Sequence, residues 1–351
     1  MVKELSVMKI KSPEYVKMSH ATAISLGLME GWMYRGAVNR CVNLLVHYPE
    51  GCSANCAYCG LAKRRPGTYE EKSFIHVEWP IYPMDEVVDA INKAPLYVKR
   101  TCISMITNGK CRQDTLLLAH RLKKETFIPI SVLISPTVME KEDLIAMKVT
   151  GVDKVGVAID LATPELFDRY RGAGVSGPHR WERYWEVLIS ALEVFGKLDV
   201  GVHLIVGMGE TEREMVSVME RMWQMGVVNH LFSFFAEESS GLAARPQPHW
   251  SKYLRLQLAR YLIEHEQSCL DNMNFDRLGR IVGFGLAADK VNEIINLGVP
   301  FMTTGCLGPD GKVACNRPFG NCLPDVKQWN YPYSPNDEEL TLIHENILKM
   351  G

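Results

Sequence analysis

Six short runs rich in valine and isoleucine alternate with six longer helical stretches through the middle of the chain, and this rhythm leaves few folds open. The runs are Val42–Tyr48, Thr101–Thr107, Ile130–Ile134, Lys154–Ile159, Val200–Val206 and His230–Phe235. Most are continuously apolar, the pattern of strands covered on both faces. Helical stretches fall at Pro83–Lys93, Asp114–Glu125, Lys141–Thr150, Pro164–Tyr170, Arg180–Phe195 and Glu212–Met225. Repeated strand–helix alternation implies a parallel sheet with right-handed crossovers. The expected fold is α/β, a partial (β/α)6 TIM-like barrel with N-terminal and C-terminal extensions. Chemistry on such a barrel sits on loops at the C-terminal ends of strands.

The barrel is expected over residues 40–250. Residues 1–39 read as an N-terminal extension, helical or irregular, packed against it. Residues 251–351 hold helices at Trp250–Glu266 and Ala288–Asn296, then a tail rich in Gly, Pro, Asn and Cys that folds back over the barrel. No internal repeat or low-complexity segment interrupts the pattern. The formal net charge of −2 gives no global field that points to nucleic acid or a membrane surface. No apolar run is long enough to span a bilayer, and MVKELSVMKIKSPEY lacks the apolar core of a secretion signal. The expected location is cytoplasmic.

In a reducing compartment, clustered cysteines are more often metal ligands or catalytic groups than disulfides. Of ten cysteines, two groups stand out: Cys52–Cys56–Cys59, and Cys306–Cys315–Cys322. The first lies in HYPEGCSANCAYCGLAKRR, just after the first strand. Its C-x3-C-x2-C spacing brings three thiolates onto one centre, and three thiolates on a four-iron cubane leave one iron open for a ligand. Tyr58 sets an aromatic ring beside that centre. A zinc site is the alternative, but it needs a fourth ligand, and neither His47 nor His76 has a usual offset. In the second group, the turn at Pro309-Asp310-Gly311 folds Cys306 and Cys315 toward each other. A second iron–sulfur cluster would fit there, with Cys41 and Cys102 as further candidate ligands; a zinc knuckle, or free thiols stabilising an irregular tail, is the alternative.

C-x3-C-x-Y-C after the first barrel strand resembles the signature of the radical S-adenosylmethionine (SAM) superfamily. The resemblance implies a 4Fe-4S cluster on Cys52, Cys56 and Cys59 whose open iron chelates S-adenosylmethionine, and a 5′-deoxyadenosyl radical formed by one-electron cleavage. It also implies supporting contacts. Where family members carry a Gly-Gly-Glu-like segment, this chain has Ser104-Met105-Ile106-Thr107-Asn108-Gly109, so Thr107 or Asn108 would supply the polar contact. Asp160 ends the fourth strand, where a carboxylate would accept from ribose hydroxyls. It would alternatively cap the next helix, although Thr163 before Pro164 is the better cap. Arg171 would pair with the methionine carboxylate, with a solvated surface arginine as the alternative. Gly207 and Gly209, in Val206-Gly207-Met208-Gly209-Glu210-Thr211, would let the backbone approach adenine, with Glu210 completing that element.

Over nearly the whole chain the sequence is similar to one branch of that superfamily, the biotin-synthase-like second subunit of two-protein lipoyl synthases. The segments that carry this are Leu28-Met29-Glu30-Gly31, Tyr34-Arg35-Gly36-Ala37, Asn43-Leu44-Leu45, Gly60-Leu61-Ala62, Phe74-Ile75-His76-Val77-Glu78-Trp79-Pro80, Gly177-Pro178-His179-Arg180-Trp181 and the C-N-R-P-F tail. The resemblance implies sulfur insertion into an octanoyl chain on a carrier-protein lysine, with an octanoylated lipoyl-carrier protein as substrate, a partner radical SAM subunit and a reductant such as ferredoxin. An auxiliary 4Fe-4S cluster would be the sulfur donor. The N-terminal cysteine motif that holds it in single-chain lipoyl synthases is absent, so Cys41, Cys306 and Cys315 are the expected ligands.

An unactivated aliphatic C–H bond has no acidity, so acid–base residues cannot open it, whereas a primary carbon radical kept from water can. His203 and His230 lie near strands, where they could face the cavity, and read first as satisfied core histidines. Two other functions fit the first cysteine group. One is a radical SAM isomerase or C–C bond-cleaving enzyme, of the methylornithine or hydrogenase-maturation kind. The other is a non-catalytic iron–sulfur or zinc protein.

Overall fold

The computed structural model describes residues 10–349 apart from Asn321 and Val326. Most of the segment read for a secretion signal is residues 1–9, outside the described residues. The chain runs β1 (Tyr15–Met18), α1 (His20–Ser25), β2 (Cys41–Val46), β3 (Ile81–Pro83), α2 (Met84–Asn92), β4 (Arg100–Ser104), α3 (Cys111–Glu125), β5 (Ile130–Ile134) and α4 (Lys141–Thr150). It continues β6 (Val152–Asp160), α5 (Pro164–Arg171), α6 (Trp181–Phe195), β7 (Val200–Val206), α7 (Glu212–Met225), β8 (Val228–Ser233) and α8 (Trp250–Glu264). The short β9 (Asn274–Phe275) and β10 (Ile281–Gly283) precede α9 (Ala288–Asn296) and α10 (Asp337–Ile347).

One mostly parallel sheet has the order β3-β1-β2-β4-β5-β6-β7-β8. Its six parallel strands, β2 and β4 to β8, are the six apolar runs of the sequence, and the helices between them cover the outer face. This is the mostly parallel α/β sheet of a partial barrel. One difference from expectation is at the edge. The N-terminal segment supplies β1, which pairs antiparallel with β2 and with β3 and so extends the sheet.

Helix boundaries follow local chemistry. Thr163 caps α5, accepting from the Leu166 amide at 3.3 Å, with Pro164 at the first helical position. Thr211 and Glu214 form a reciprocal capping box at α7. Outward-facing valines, leucines and methionines of the strands pack under the helices as one continuous core. The inward face is different, because Asn43, Cys102, Ser104, Ser131, Gly156 and His203 leave a polar, partly hollow interior.

The C-terminal tail reaches from the start of β2 to the middle of β8. Asn316 accepts from the Arg40 amide and donates to the Val38 carbonyl. Asn330 donates to the Leu231 carbonyl, and the Leu231 amide donates to Thr304. Leu307 and Val313 form a bridge that makes residues 306–315 a hairpin, pinned by Arg40 to Asp310 and by Arg100 to the Leu307 carbonyl.

Candidate active site

A cavity of about 250 Å³ opens among the C-terminal ends of the strands, and Cys52, Cys56 and Cys59 all face it. The loop that carries them is fixed at several points. Ser53 donates to the Thr107 carbonyl through both its amide and its hydroxyl at 2.8 Å, and the Ala57 amide donates to the Tyr170 carbonyl. Gly60 lets the chain turn, since a Cβ there would lie 2.2 Å from the Ser73 carbonyl oxygen. Two backbone amides point at sulfur, Ala54 toward Cys52 and Leu61 toward Cys59, each at 3.4 Å. Burial pushes the Cys56 thiol up to about 11 and the Cys59 thiol well above its ordinary value. Thiolates at such depth need a cation to balance them, and amide donors already aimed at two of the sulfurs suit cluster ligands. The three residues fit a three-thiolate iron–sulfur cluster.

Beside the cysteines runs a chain of buried polar groups. The Tyr58 hydroxyl donates to Asp160 Oδ2 at 2.6 Å, and Arg171 Nη1 donates to the same oxygen at 2.7 Å. Arg171 also donates to the Ala158 carbonyl and to the Tyr184 hydroxyl, and it stacks near the Phe167 and Tyr184 rings. His179 Nδ1 lies 3.1 Å from the Tyr184 hydroxyl and 2.5 Å from that of Thr137. Burial, then Arg171, pushes His179 down to about 2, so its ring is neutral. Burial raises the Asp160 carboxyl against the pull of Arg171 and the Tyr58 hydroxyl. Tyr58, raised well above its ordinary value by burial, keeps its proton.

The other expected contacts divide. Thr107 lines the cavity and pairs with Ser135 at 2.9 Å. Asn108 turns to the Gly51 carbonyl and the Lys110 amide. Asp160 faces the cavity and caps no helix. Arg171 faces the cavity too, with Nη1 and Nη2 held by Asp160, Tyr184 and the Ala158 carbonyl and Nε buried without a partner. Gly207, Gly209 and Glu210 form the turn after β7 without lining the cavity. Glu210 accepts from the Gly207 and Met208 amides at 2.9 and 2.8 Å and pairs with Lys252, so its side chain holds this turn.

The tail brings the second cysteine group together. Cys41, Cys102 and Cys306 lie close enough to Cys315 for the four thiols to influence one another's ionisation. Asn43 Nδ2 points at the Cys315 sulfur at 3.8 Å. Cys315 is held well below its ordinary value by the Cys102 and Cys41 thiols, Cys102 first. Cys322 is apart, with its thiol directed to Gln328. A small polar cavity deeper in the barrel is lined by Asn43, Cys102, Cys306, Cys315, His203 and His230, so these histidines are cavity groups and not satisfied core residues. His230 Nδ1 is buried without a partner. Gly201 makes room for that ring, because a Cβ there would lie 2.7 Å from His230 Nε2. A thiol-rich donor set in a polar hollow fits an iron–sulfur group. Among the described residues, no three His, Cys, Asp or Glu side chains converge on one point as the ligands of a single zinc ion do. A cubane asks instead for one thiolate on each iron.

Several cavity residues carried no signal of their own in the sequence. Tyr184 belongs to α6, and only its contact with Arg171 marks it; His179, in the turn before, fell within the Gly177–Trp181 segment that carries the family resemblance but had no role attached to it. Glu237 accepts from Ser73, and from the amide of His76, whose ring packs on Phe235. Arg317 sat inside the C-N-R-P-F segment, where one more arginine in a loop is unremarkable by pattern.

The sequence profile of the radical SAM superfamily matches residues 46–222, half of the chain. No curated protein matches. Among solved structures, the chain is similar to methylornithine synthase at 13% identity over 70% of this chain and 66% of that one, with a TM-score of 0.49. It is similar to HydG, a maturase of the FeFe-hydrogenase, at 13% identity over 65% and 51%, TM-score 0.49. A third is the radical S-adenosylmethionine methyltransferase TsrM from Kitasatospora setae, at 12% identity over 91% and 62%, TM-score 0.42. Each alignment spans under two thirds of the other protein's own length. With the profile covering the first cysteine group and the strands that surround it, the chain belongs to the radical SAM superfamily.

Proposed function

We propose that this chain inserts sulfur into an unactivated carbon of an octanoyl group borne by a lipoyl-carrier protein, working with a partner radical SAM subunit and a reductant such as ferredoxin. The observation that supports this is the meeting of Cys41, Cys102, Cys306 and Cys315. They come from three distant stretches of chain, and their hollow shares Phe74, Ile75, Leu133, His203 and Arg317 with the larger cavity. In this reading they hold the auxiliary 4Fe-4S cluster that donates sulfur, with Cys102 joining the expected three.

When bound, the first cluster and S-adenosylmethionine supply a 5′-deoxyadenosyl radical able to take hydrogen from an aliphatic carbon. The protein's own work is positioning and exclusion. Cys52, Cys56 and Cys59 hold the cluster. Asp160 lines the cavity with Oδ2 held by Arg171 and Tyr58, and its other carboxylate oxygen would accept from ribose hydroxyls. Thr107 and Ser135 add hydroxyls to the same lining. Met105, Ile106, Ile134, Ile205 and Phe234 make an apolar lining that suits an alkyl chain and keeps water from a reactive carbon. The Gly207–Glu210 turn would meet adenine through its backbone from outside the present cavity lining.

The test is anaerobic incubation of the reconstituted protein with S-adenosylmethionine, reductant, an octanoylated carrier peptide and the partner subunit, read by mass spectrometry. Sulfur added to the peptide, from protein carrying about eight irons, is expected. About four irons and an unmodified peptide would contradict the reading.

A further inference from the structure

The larger cavity is faced by several charged groups, and all but one are paired. Asp160 is held by Tyr58 and Arg171, and Glu237 by Ser73 and His76. Arg317 makes no hydrogen bond or ion pair through its guanidinium among the described residues, and its Nε is buried without a partner. Its cation lies over the Phe232 ring, 4.7 Å from the centroid. Its backbone is in the left-handed region, at φ 30°, a conformation a non-glycine residue adopts only when its surroundings impose it. Asn316, the residue before it, is tied to both Arg40 and Val38, which fixes the point from which the side chain enters the barrel.

A buried, unpaired donor costs free energy until something accepts from it. Leu133, Ile205, Phe232 and Phe234 on the surrounding wall are apolar, and Asp160, His203 and Cys315, which feel its charge, make no hydrogen bond to it. A guanidinium fork matches the two oxygens of a carboxylate, and its N–H groups can also donate to the single oxygen of an acyl carbonyl. A charge where the larger cavity adjoins the smaller one orients an elongated amphiphile and sets how deep it goes.

We infer that Arg317 binds the acyl oxygen of the substrate and thereby fixes the depth of the alkyl chain. This rests on the acyl substrate proposed above and adds the residue that would select it.

The test is titration of the anaerobically reconstituted full chain with octanoate, with 1-octanol (the same chain length without an acyl oxygen) and with S-adenosylmethionine, using Arg317→Gln and Arg317→Lys. Octanoate affinity should fall tenfold or more in Arg317→Gln, the scale of one lost charge-assisted contact, while 1-octanol and S-adenosylmethionine stay within about twofold. Arg317→Lys, which keeps the charge but loses the fork, should fall between and serves as the deciding variant if the glutamine protein does not fold. Octanoate affinity that is unmoved in both variants overturns the inference, as does failure of the wild type to bind octanoate. Loss of S-adenosylmethionine affinity in place of octanoate affinity overturns it too, making Arg317 a cofactor contact. Arg317-dependent octanoate binding without sulfur transfer would keep the anchor and remove the sulfur-insertion reading. Sulfur transfer with unmoved octanoate binding would remove only the anchor.

Discussion

Tyr58 and Asp160 are 102 residues apart in the chain and joined by a 2.6 Å hydrogen bond. The bond ties the first cysteine loop to the C-terminal end of β6. Asp160 reaches it from a left-handed backbone conformation, φ 66°, beside an irregularity in the β6–β7 register. Strain of this kind in a non-glycine residue is maintained by its surroundings and is characteristic of functional sites. Removing the tyrosine hydroxyl should therefore loosen the loop as well as the carboxylate. Tyr58→Phe should cost about 1–2 kcal/mol of stability, read by denaturant midpoint, since it leaves a buried acceptor with one donor fewer. Asp160→Ala should cost more, about 3–5 kcal/mol, because the buried Arg171 charge loses its partner. S-adenosylmethionine affinity should fall in Asp160→Ala while the iron of the first cluster remains. Unchanged affinity would confine Asp160 to a structural role.

Cys56→Ala should abolish 5′-deoxyadenosine formation, and Cys52→Ala and Cys59→Ala should do the same. No other cysteine sits at the right spacing to replace a lost thiolate. Product analysis by chromatography reads this directly, and a Cys56→Ala protein that cleaves S-adenosylmethionine at the wild-type rate would sink the assignment of this loop.

His179 gives the fold a dependence on acid. Its folded value of about 2 lies below the ordinary 6.5, so between those limits the unfolded chain binds a proton that the folded chain does not. Stability conferred by the neutral ring is thus fully present above about pH 6.5 and is lost progressively as pH falls below it. His179→Gln, which removes the titrating group, should flatten the fall in melting temperature between pH 6.5 and pH 4. An identical slope in both proteins would contradict the burial argument.

What the sequence made legible was whatever is encoded over a short span. Ile130–Ile134 and Val200–Val206 read as strands to the residue, because runs rich in Val and Ile that are this short and bounded by loop residues favour a strand over a helix. Cys52, Cys56 and Cys59 were legible by spacing alone. The short β1 and β3 were not, since four residues carrying Lys17 and three ending in Pro83 show no periodicity; only the sheet edge makes them strands. Arg171 was read as facing a cofactor because nothing local reveals that Asp160, eleven residues earlier, turns back onto it. The meeting of Cys41 and Cys102 with Cys315 depends on how a tail with little regular structure crosses the barrel, and such contacts leave no pattern in sequence.

The central claim is that one cysteine group starts the chemistry and the other supplies the sulfur, and a single assay separates the two. Wild type and Cys306→Ala/Cys315→Ala, each reconstituted with heavy-isotope sulfide, are given S-adenosylmethionine, reductant, partner subunit and octanoylated carrier peptide. In the same tube, 5′-deoxyadenosine and heavy sulfur on the peptide are measured. The double variant should form 5′-deoxyadenosine, carry about half the wild-type iron and add no sulfur, whereas wild type does both. Full iron content in the double variant, or heavy sulfur on the peptide without these two thiols, would contradict the account.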